Sequence, residues 1–325
     1  MRRRRGIALL IVLWVLTILM VTVFSFAVMT RAETYGTLVF KEDAEKRYLA
    51  EAGIERGVME ILYASINRNR TVTLEGMGFW RFDGTSYTVG MGNGSCEVRV
   101  VDEAGKISLN GLTDASGILL KNLLVLQGVG PEAADEIVDA VLDWKDSDDL
   151  HRLHGVESDY YLSLPKPYRP ANDSFKTLEE LILVKGITPG ILYGTEKTAG
   201  IFSSLTLHGK AGRVNINAAP REVLAALPGM EPGMADRILE IRALSDIRGI
   251  DDIKDILGAG YARAAAYADF GPAGAPGAFT VQSTGYRESR KRGYAVAATV
   301  IFGGRNQRPH EYRYVHYKSP AEIQQ

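Results

Sequence analysis

An uninterrupted apolar segment near the start of the chain constrains where the protein can reside. Ile7 to Thr30 carries no charged residue and follows four consecutive arginines, Arg2 to Arg5. As a helix with a rise of about 1.5 Å per residue, this segment would be about 36 Å long, which exceeds the ~30 Å hydrocarbon core of a bilayer. Basic residues stay preferentially on the cytoplasmic side. We therefore expect a single-pass membrane protein with a cytoplasmic N-terminus, whose chain after Arg31 lies on the far side of the membrane.

The overall composition is that of a folded protein without a strong charge bias. Of the 325 residues, 46% are hydrophobic, and 38 basic and 39 acidic side chains give a formal net charge of -1. This apolar content supports a buried core, and the length favours two domains rather than one. A basic surplus is typical of proteins that coat nucleic acid, so the near-neutral balance argues against that function. The single cysteine, Cys96, excludes an intramolecular disulfide and a four-cysteine zinc site.

The junction between the arginines and the apolar segment allows three interpretations. A secretory signal peptide has an apolar region of about 7–15 residues, which is shorter than this one. A signal anchor fits both the length and the charge. A six-residue leader that ends in Gly6 and gives way to Ile7 also resembles the leader of type IV pilins and pseudopilins. That resemblance implies that a prepilin peptidase cleaves between Gly6 and Ile7 and that Ile7 is N-methylated. It also implies that the membrane is the bacterial inner membrane and that the C-terminal domain lies in the periplasm.

The fifth residue of the mature chain narrows this resemblance. In most pilins and pseudopilins it is a glutamate that meets the N-terminal amine of the subunit ahead, whereas here it is Ile11. A carboxylate at membrane depth costs about 2.5–3.5 kcal/mol on insertion scales. The absence of this glutamate therefore indicates that no subunit ahead is expected to pair with it. The K-type minor pseudopilin of type II secretion is similar in lacking this acid, and the similarity implies a position at the tip of the fibre.

Hydrophobic periodicity divides the rest of the chain into helical and strand-forming parts. Helical spacing continues to about residue 66, although Gly36, Gly53 and Gly57 each disfavour a helix by about 1 kcal/mol relative to alanine. Alternating apolar residues then predict five strands and a glycine turn. The strands are expected near 87–91, 96–100, 279–286, 294–302 and 312–317, with the turn at 92–94. The segment between the second and third strands has helical patterning.

These patterns and the pilin resemblance predict an α+β, pilin-like fold. A long N-terminal transmembrane helix would pack on an antiparallel sheet, and a large all-α domain would be inserted in that sheet. The predicted boundaries are 1–6 for the cleaved leader, 7–66 for the helix with its transmembrane part at 7–30, 67–108 plus 272–318 for the pseudopilin sheet, and 109–271 for the insertion.

The predicted insertion contains an internal repeat. Residues 123–138 align without gaps with residues 224–239, and both copies have the pattern of a helix, a glycine-containing turn and a helix. They resemble helix-hairpin-helix (SAM-like) units, whose turns in DNA-binding examples present backbone N–H groups to a phosphate. Glu132 and Glu136 follow the first turn, and Glu231 replaces the second glycine of the other. Because acids repel phosphate, structural packing is favoured over nucleic-acid binding.

Five short motifs in the insertion carry a more specific resemblance. They are V-L-D-W-K-D-S-D-D at 141–149, G-V-E-S-D-Y-Y at 155–161, P-Y-R-P-A-N at 167–172, L-E-E-L at 178–181 and V-N-I-N-A-A-P at 214–220. In order and spacing they resemble the K-type minor pseudopilin family, the general secretion pathway protein K family. The resemblance implies a tip complex with minor pseudopilins of the I and J types. That complex would initiate the type II secretion pseudopilus on the inner-membrane assembly platform and promote protein export across the outer membrane.

The same region concentrates acidic side chains. The candidate metal ligands are Asp143, Asp146, Asp148, Glu157 and Asp159. Clustered carboxylates repel one another unless they are solvated or bridged by a divalent cation, and Ca2+ takes about six to eight oxygen ligands. The family resemblance implies a calcium site here, with Asp159 as a substitute for the family's aspartate at Ser158. A solvated acidic helix end and a zinc site at His151 and His154 are the alternatives.

The sequence has no constellation typical of an enzyme active site. We find no nucleophile with an adjacent base, no phosphate-binding loop and no paired acid and base, so we expect no catalytic residues and no enzymatic activity. Two other functions remain open at this point. One is a membrane-anchored helix-hairpin-helix receptor for DNA uptake, and the other is a minor pilin of a type IV pilus.

Replacement of Gly6 by aspartate should block leader removal without preventing membrane insertion, because the apolar segment is unchanged. The measurement is the intact mass of the membrane-extracted protein, expressed with and without a prepilin peptidase. We expect the loss of residues 1–6 only in the wild-type chain and only with the peptidase. A processed variant, or a wild-type chain that stays unprocessed, would contradict the leader assignment.

Overall fold

The structure is a computed structural model that describes residues 4–67, 80–196, 198–271, 277–287, 292–303 and 311–321. Residues 1–3 of the predicted leader and 68–79 of the predicted sheet region lie outside the described residues. The α-helices are α1 (Arg4–Ile66), α2 (Gly117–Leu126), α3 (Pro131–Lys145), α4 (Ser158–Ser163), α5 (Pro189–Tyr193), α6 (Arg221–Ala225), α7 (Met234–Leu244), α8 (Lys254–Leu257) and α9 (Tyr261–Ala265). The strands are β1 (Asp83–Met91), β2 (Gly94–Asp102), β3 (Ile107–Ser108), β4 (Leu205–Thr206), β5 (Val214–Asn215), β6 (Ala268–Asp269), β7 (Gly277–Arg287), β8 (Tyr294–Phe302) and β9 (Tyr312–Lys318).

Helix α1 is one continuous element of 63 residues. No proline interrupts its sequence, and its apolar N-terminal part is exposed on all sides. The stretch from Ile7 onward is long and apolar enough to cross a membrane. In the second half of the helix one face becomes buried, through Ala50, Ile54, Val58 and Ile61 at three- and four-residue spacing. The same helix therefore supplies an exposed apolar segment and one wall of a core.

Five antiparallel strands, in the order β1-β2-β7-β8-β9, cover this face of α1. Cys96, Val98 and Val100 of β2 are fully buried, whereas the residues between them are partly exposed, as the alternation predicted. The turn between β1 and β2 is Gly92-Asn93, and Gly92 has a φ of +55°. A two-residue hairpin turn requires this left-handed conformation. The structure has strands where the sequence pattern predicted them.

The rest of the chain is inserted between two neighbouring strands of the sheet. β2 pairs directly with β7, and Asp102 at the end of β2 lies opposite Phe279. The intervening segment forms a second hydrophobic core, around Leu119, Leu123, Ile137, Leu224 and Ile238. Within its described residues it also contains two short parallel pairs, β3 with β4 and β5 with β6. The prediction of an all-α insertion missed these strands, because two residues are too short to show an alternating pattern.

Buried polar groups connect the two cores. Arg242 of α7 is only 5% exposed, and its Nη1 donates to the carbonyl oxygens of Ile216 at 3.1 Å and Ala219 at 2.7 Å. The Nη2 atom of Arg242 lies 3.6 Å from a carboxylate oxygen of Asp83 in β1. Arg81, just before β1, donates to the carbonyl oxygen of Arg242 at 2.7 Å. These contacts join the edge of the sheet to α7 of the insertion.

A second polar connection lies where the chain leaves β2. Asp102 accepts a hydrogen bond from Asn215 of β5 at 3.2 Å, and burial raises the pKa of Asp102 to about 6. Glu103 is also buried and accepts hydrogen bonds from Lys106 at 2.9 Å and from Thr280 of β7 at 2.7 Å. The insertion is therefore anchored to the sheet at its point of departure.

Two glycines of α1 lie where the helix meets the sheet most closely. A Cβ atom on Gly53 would lie 2.1 Å from Ser283 Oγ and 2.9 Å from Cys96 Sγ, and one on Gly57 would lie 2.5 Å from Val281 Cγ1. These separations are shorter than van der Waals contacts. Two of the three glycines that disfavour the helix in the sequence are thus required by its packing.

Gly53→Ala should lower the free energy of unfolding by about 1–3 kcal/mol, because the side chains of the sheet must move to accommodate a methyl group. Gly36 is the matched control in the same helix, since no atom lies within 4 Å of a Cβ at that position. Gly36→Ala should be neutral or stabilising by about 1 kcal/mol. Thermal unfolding of the detergent-solubilised chain compares the two variants, and equal stability would contradict the packing argument.

Candidate metal centre

Helix α3 places two of the predicted carboxylates at its C-terminal end. It begins with Pro131, whose missing N–H suits the first turn of a helix, and its apolar face is buried in the second core. Asp143 lies in the last turn, and Asp146 follows directly after the helix. Three-residue spacing puts both side chains on the same side of the helix. Asp143 is fully buried, and Asp146 is partly buried.

The loop that follows α3 brings a third carboxylate to the same point. A Cβ atom on Gly155 would lie 1.8 Å from Asp143 Oδ2, so a side chain at this position would prevent the close approach of the loop. Glu157 lies directly before α4 and is 3% exposed. One carboxylate oxygen from each of Asp143, Asp146 and Glu157 lies within 4.8 Å of the other two. We call these three residues the carboxylate cluster.

Arg152 of the same loop is the cation that contacts the carboxylate cluster. Its Nη1 donates to Asp143 Oδ1 and to Asp146 Oδ2, each at 2.7 Å. Its Nε donates to Asp114 Oδ1, also at 2.7 Å. Both oxygens of Glu157, and Oδ1 of Asp146, are buried without a hydrogen-bond partner among the described residues. Three oxygens of the cluster are therefore left without compensation.

The electrostatics of the cluster reflect this surplus of negative charge. Burial, together with the charges of Asp143 and Asp146, raises the pKa of Glu157 to about 7. Burial also raises the pKa of Asp143, although its hydrogen bonds with Arg152 act in the opposite direction. A buried carboxylate is costly when no cation or donor compensates it. The arrangement thus favours the binding of a further cation.

The other two predicted ligands make local hydrogen bonds instead. Asp148 accepts a hydrogen bond from the backbone N–H of Leu150 at 2.9 Å, and Asp159 accepts one from the backbone N–H of Tyr160 at 2.8 Å. Both aspartates are exposed. The structure therefore brings together three of the five predicted ligands and leaves Asp148 and Asp159 outside the carboxylate cluster.

The two histidines of the loop lie on its exposed side. His154 Nδ1 is 3.2 Å from Asp139 Oδ2, and His151 Nδ1 is 3.2 Å from the carbonyl oxygen of Arg152. Among the described residues, the group whose geometry suits a metal ion contains carboxylates alone. The zinc alternative thus has no support in the positions of these side chains.

Sequence reasoning did not single out Asn172, which forms hydrogen bonds with the backbone close to Asp143 and Asp146. Its φ of +43° lies in the left-handed region, which is uncommon for residues other than glycine. Its backbone N–H donates to the carbonyl oxygen of Trp144 at 3.0 Å, and its Nδ2 donates to that of Asp148 at 3.4 Å. Its Oδ1 is buried without a hydrogen-bond partner among the described residues. The feature of the sequence that could have identified Asn172 is its position at the end of the motif P-Y-R-P-A-N.

An aromatic cluster forms around Trp144, which follows Asp143 in the chain. The ring centroid of Trp144, the neighbour of Asp143, is 5.2 Å from that of Tyr161, 6.2 Å from that of Tyr168 and 6.4 Å from that of Phe175. Tyr161 and Tyr168 are 5.3 Å apart. Trp144, Tyr161 and Tyr168 come from three of the five sequence motifs, and Phe175 lies three residues after the last of these. The first three motifs therefore meet in one aromatic cluster beside the acidic loop.

The fold defines a class of protein. A helix long and apolar enough to cross a membrane, with its second half packed on an antiparallel sheet, is the architecture of a membrane-anchored pilin-like protein. The crystal structure of the GspK-GspI-GspJ complex from the type 2 secretion system of enterotoxigenic Escherichia coli contains a chain of similar fold. The TM-score is 0.61 at 16% sequence identity, over 88% of this chain and 99% of the other.

Sequence comparison identifies the family within this class. Two family models described as type II secretion system protein K match residues 105–197 and 214–269. The chain belongs to the type II secretion system protein K family. It is 26% identical to protein K of Pseudomonas aeruginosa over 267 residues, which is 77% of this chain and 76% of that protein. It is 43% identical to protein K of Pectobacterium carotovorum over 70 residues, which is 22% of this chain and 20% of that protein.

Proposed function

We propose that the mature chain is a minor pseudopilin at the tip of the type II secretion pseudopilus. With minor pseudopilins of the I and J types it would initiate assembly of the pseudopilus and promote protein export across the outer membrane. The observation that carries the proposal is the match of two protein K family models to an insertion in a pilin-like helix and sheet. The GspK-GspI-GspJ composition of the structurally similar complex supports these partners.

The same proposal includes the path of the chain through the inner membrane. The leader would lie in the cytoplasm, where a prepilin peptidase cleaves it between Gly6 and Ile7, and the C-terminal domain would lie in the periplasm. Arginines 2–5 support this orientation. Ile11 supports the position at the tip, because the subunit has no carboxylate to pair with a subunit ahead. The inner-membrane assembly platform would take up the processed subunit.

We infer that the two helical hairpins are packing units rather than DNA-binding ones. In the first hairpin the backbone N–H groups of Gly128 and Val129 already donate to carbonyl oxygens of α2, and the next helix begins with Pro131, which has no N–H to offer a phosphate. In the second hairpin a Cβ on Gly229 would lie 2.8 Å from Gly260, so a neighbouring turn covers this one. These contacts favour a function in protein secretion over a function as a DNA-uptake receptor.

We propose that the carboxylate cluster binds Ca2+. Two oxygens on opposite sides of one calcium ion are about 4.6–5.2 Å apart, since each Ca–O distance is about 2.3–2.6 Å. The separation of at most 4.8 Å between the oxygens of Asp143, Asp146 and Glu157 fits this limit. The unpartnered oxygens of Glu157 and Asp146 are the observation that supports cation binding. A bound ion would fasten the acidic loop to the end of α3, which is a structural role without catalysis.

Co-expression with the I-type and J-type minor pseudopilins of the same secretion system should give a complex of the three proteins that survives extraction in detergent. Deletion of the gene should reduce protein export, and the wild-type gene should restore it. The unprocessed Gly6→Asp variant is the control that should fail to restore export. Capture of type IV pilus minor pilins instead would assign the chain to a pilus. Salt-dependent binding of duplex DNA without any pseudopilin partner would favour the DNA-uptake receptor.

Glu157→Gln should raise the melting temperature in the presence of a chelator and abolish the rise that Ca2+ causes in the wild type. Glutamine keeps the shape of the side chain and removes a buried, uncompensated charge, and about 1 kcal/mol corresponds to a shift of ~2–4 °C in a domain of this size. In the wild type, Ca2+ at 100 times its Kd should stabilise by about 2.7 kcal/mol. Glu240→Gln, at an exposed position of α7, is the control that should change neither value. No shift of the wild type at millimolar Ca2+ would overturn the calcium site.

A further inference from the structure

Arg152 engages the same carboxylates that a metal ion would need. Its Nη1 bridges Asp143 Oδ1 and Asp146 Oδ2 at 2.7 Å from each. Its backbone N–H is shared between the two oxygens of Asp143, at 3.3 Å from Oδ1 and 3.1 Å from Oδ2. Both oxygens of Asp143 are therefore in use. An ion that coordinates Asp143 would share these oxygens with the N–H donors of Arg152, and its positive charge would repel the guanidinium.

One guanidinium does not neutralise the acidic groups around it. The four carboxylates in contact with Arg152 or with its partners belong to Asp114, Asp143, Asp146 and Glu157. Lys145, the nearest other cation in the sequence, donates to the backbone carbonyl oxygens of Asn110 at 3.0 Å and Leu112 at 2.5 Å. Glu157 is 3% exposed, and its two oxygens have no hydrogen-bond partner among the described residues. A divalent ion among these groups would reach an oxygen that the guanidinium leaves unpaired.

Arg152 also has an acceptor outside the cluster. Its Nε donates to Asp114, which lies before α2 and whose side chain is 77% exposed. The side chain of Arg152 is itself 27% exposed, so its guanidinium has access to solvent. The long side chain can therefore leave the buried carboxylates by rotation and remain paired with Asp114 at the surface.

We propose that the Arg152 guanidinium is a resident counter-cation, which holds Asp143 and Asp146 together in the metal-free protein and moves towards Asp114 when a divalent cation binds. The proposal rests on the calcium site proposed above. In this exchange a monovalent cation that contacts two residues of the cluster gives way to a divalent one that contacts all three. The acidic loop then stays on α3 in both states, and the guanidinium competes with the ion for the same oxygens.

Arg152→Gln tests the exchange through two measurements that should move in opposite directions. In chelator the melting temperature of the detergent-solubilised full chain should fall, because the buried carboxylates lose their counter-cation. In isothermal titration with Ca2+ alone, the variant should bind more tightly, since the competitor is gone. If Arg152 occupies the cluster for about 90% of the time, Kd should fall about tenfold. Arg237→Gln, at an exposed position of α7, is the matched control and should change neither measurement.

The outcomes separate this proposal from the calcium site itself. An arginine that only orients the ligands would, when replaced, lower both the metal-free stability and the affinity for Ca2+. Unchanged or weaker Ca2+ binding by Arg152→Gln would overturn the exchange and leave the calcium site standing. Binding by both proteins, with a lower Kd for the variant, would support the exchange. Absence of binding in both proteins would overturn the exchange and the calcium site, while co-purification with the I-type and J-type partners still tests the pseudopilin assignment.

A second variant covers the case in which Arg152→Gln does not fold in chelator. Arg152→Lys keeps the positive charge but loses the planar fork that contacts two carboxylates at once. The exchange predicts the same opposite signs for lysine, a lower melting temperature without metal and a lower Kd for Ca2+, both by smaller amounts. A rise in Kd would overturn it.

Discussion

The close contact between the second half of α1 and the five-stranded sheet is the constraint on which the rest of the structure depends. Gly53 and Gly57 let the helix approach the sheet, and on the opposite side a Cβ on Gly285 of β7 would lie 2.0 Å from the carbonyl oxygen of Lys46. Because α1 is continuous, this contact couples the membrane segment rigidly to the part of the chain beyond it. Movement of the helix would be transmitted to the sheet without an intervening hinge.

The position of the insertion follows from the order of the strands. β2 and β7 are neighbours, so the insertion leaves and re-enters the sheet at one place. Such an attachment would be flexible on its own, but buried polar contacts fix it. Arg242 joins α7 to the β1 edge through Asp83, and Asn215 joins β5 to Asp102. Removing either partner would leave a buried polar group unpaired, which is costly. In this family member the insertion is therefore held in a defined orientation relative to the helix.

The carboxylate cluster is built on different principles from the two cores. Aromatic packing around Trp144 and the close passage of Gly155 force acidic groups together that would separate in water. Arg152 compensates part of that repulsion, and Glu157 remains without a partner among the described residues. A cation that enters the cluster would relieve the remaining repulsion between these carboxylates. Occupation of the proposed calcium site would therefore make the stability of the acidic loop depend on the ion.

Local patterns were sufficient for much of this protein. The uncharged run from Ile7, the alternation in β2, and the order of the motifs in the insertion determined the membrane segment, the sheet and the family resemblance, because each depends on neighbouring residues alone. The sequence could not select three of five acids, since the path of the loop after α3 depends on distant packing. It also could not pair Arg152 with Asp114, or explain the helix glycine Gly53. Those features arise where segments far apart in the chain meet, and only the tertiary structure decides such contacts.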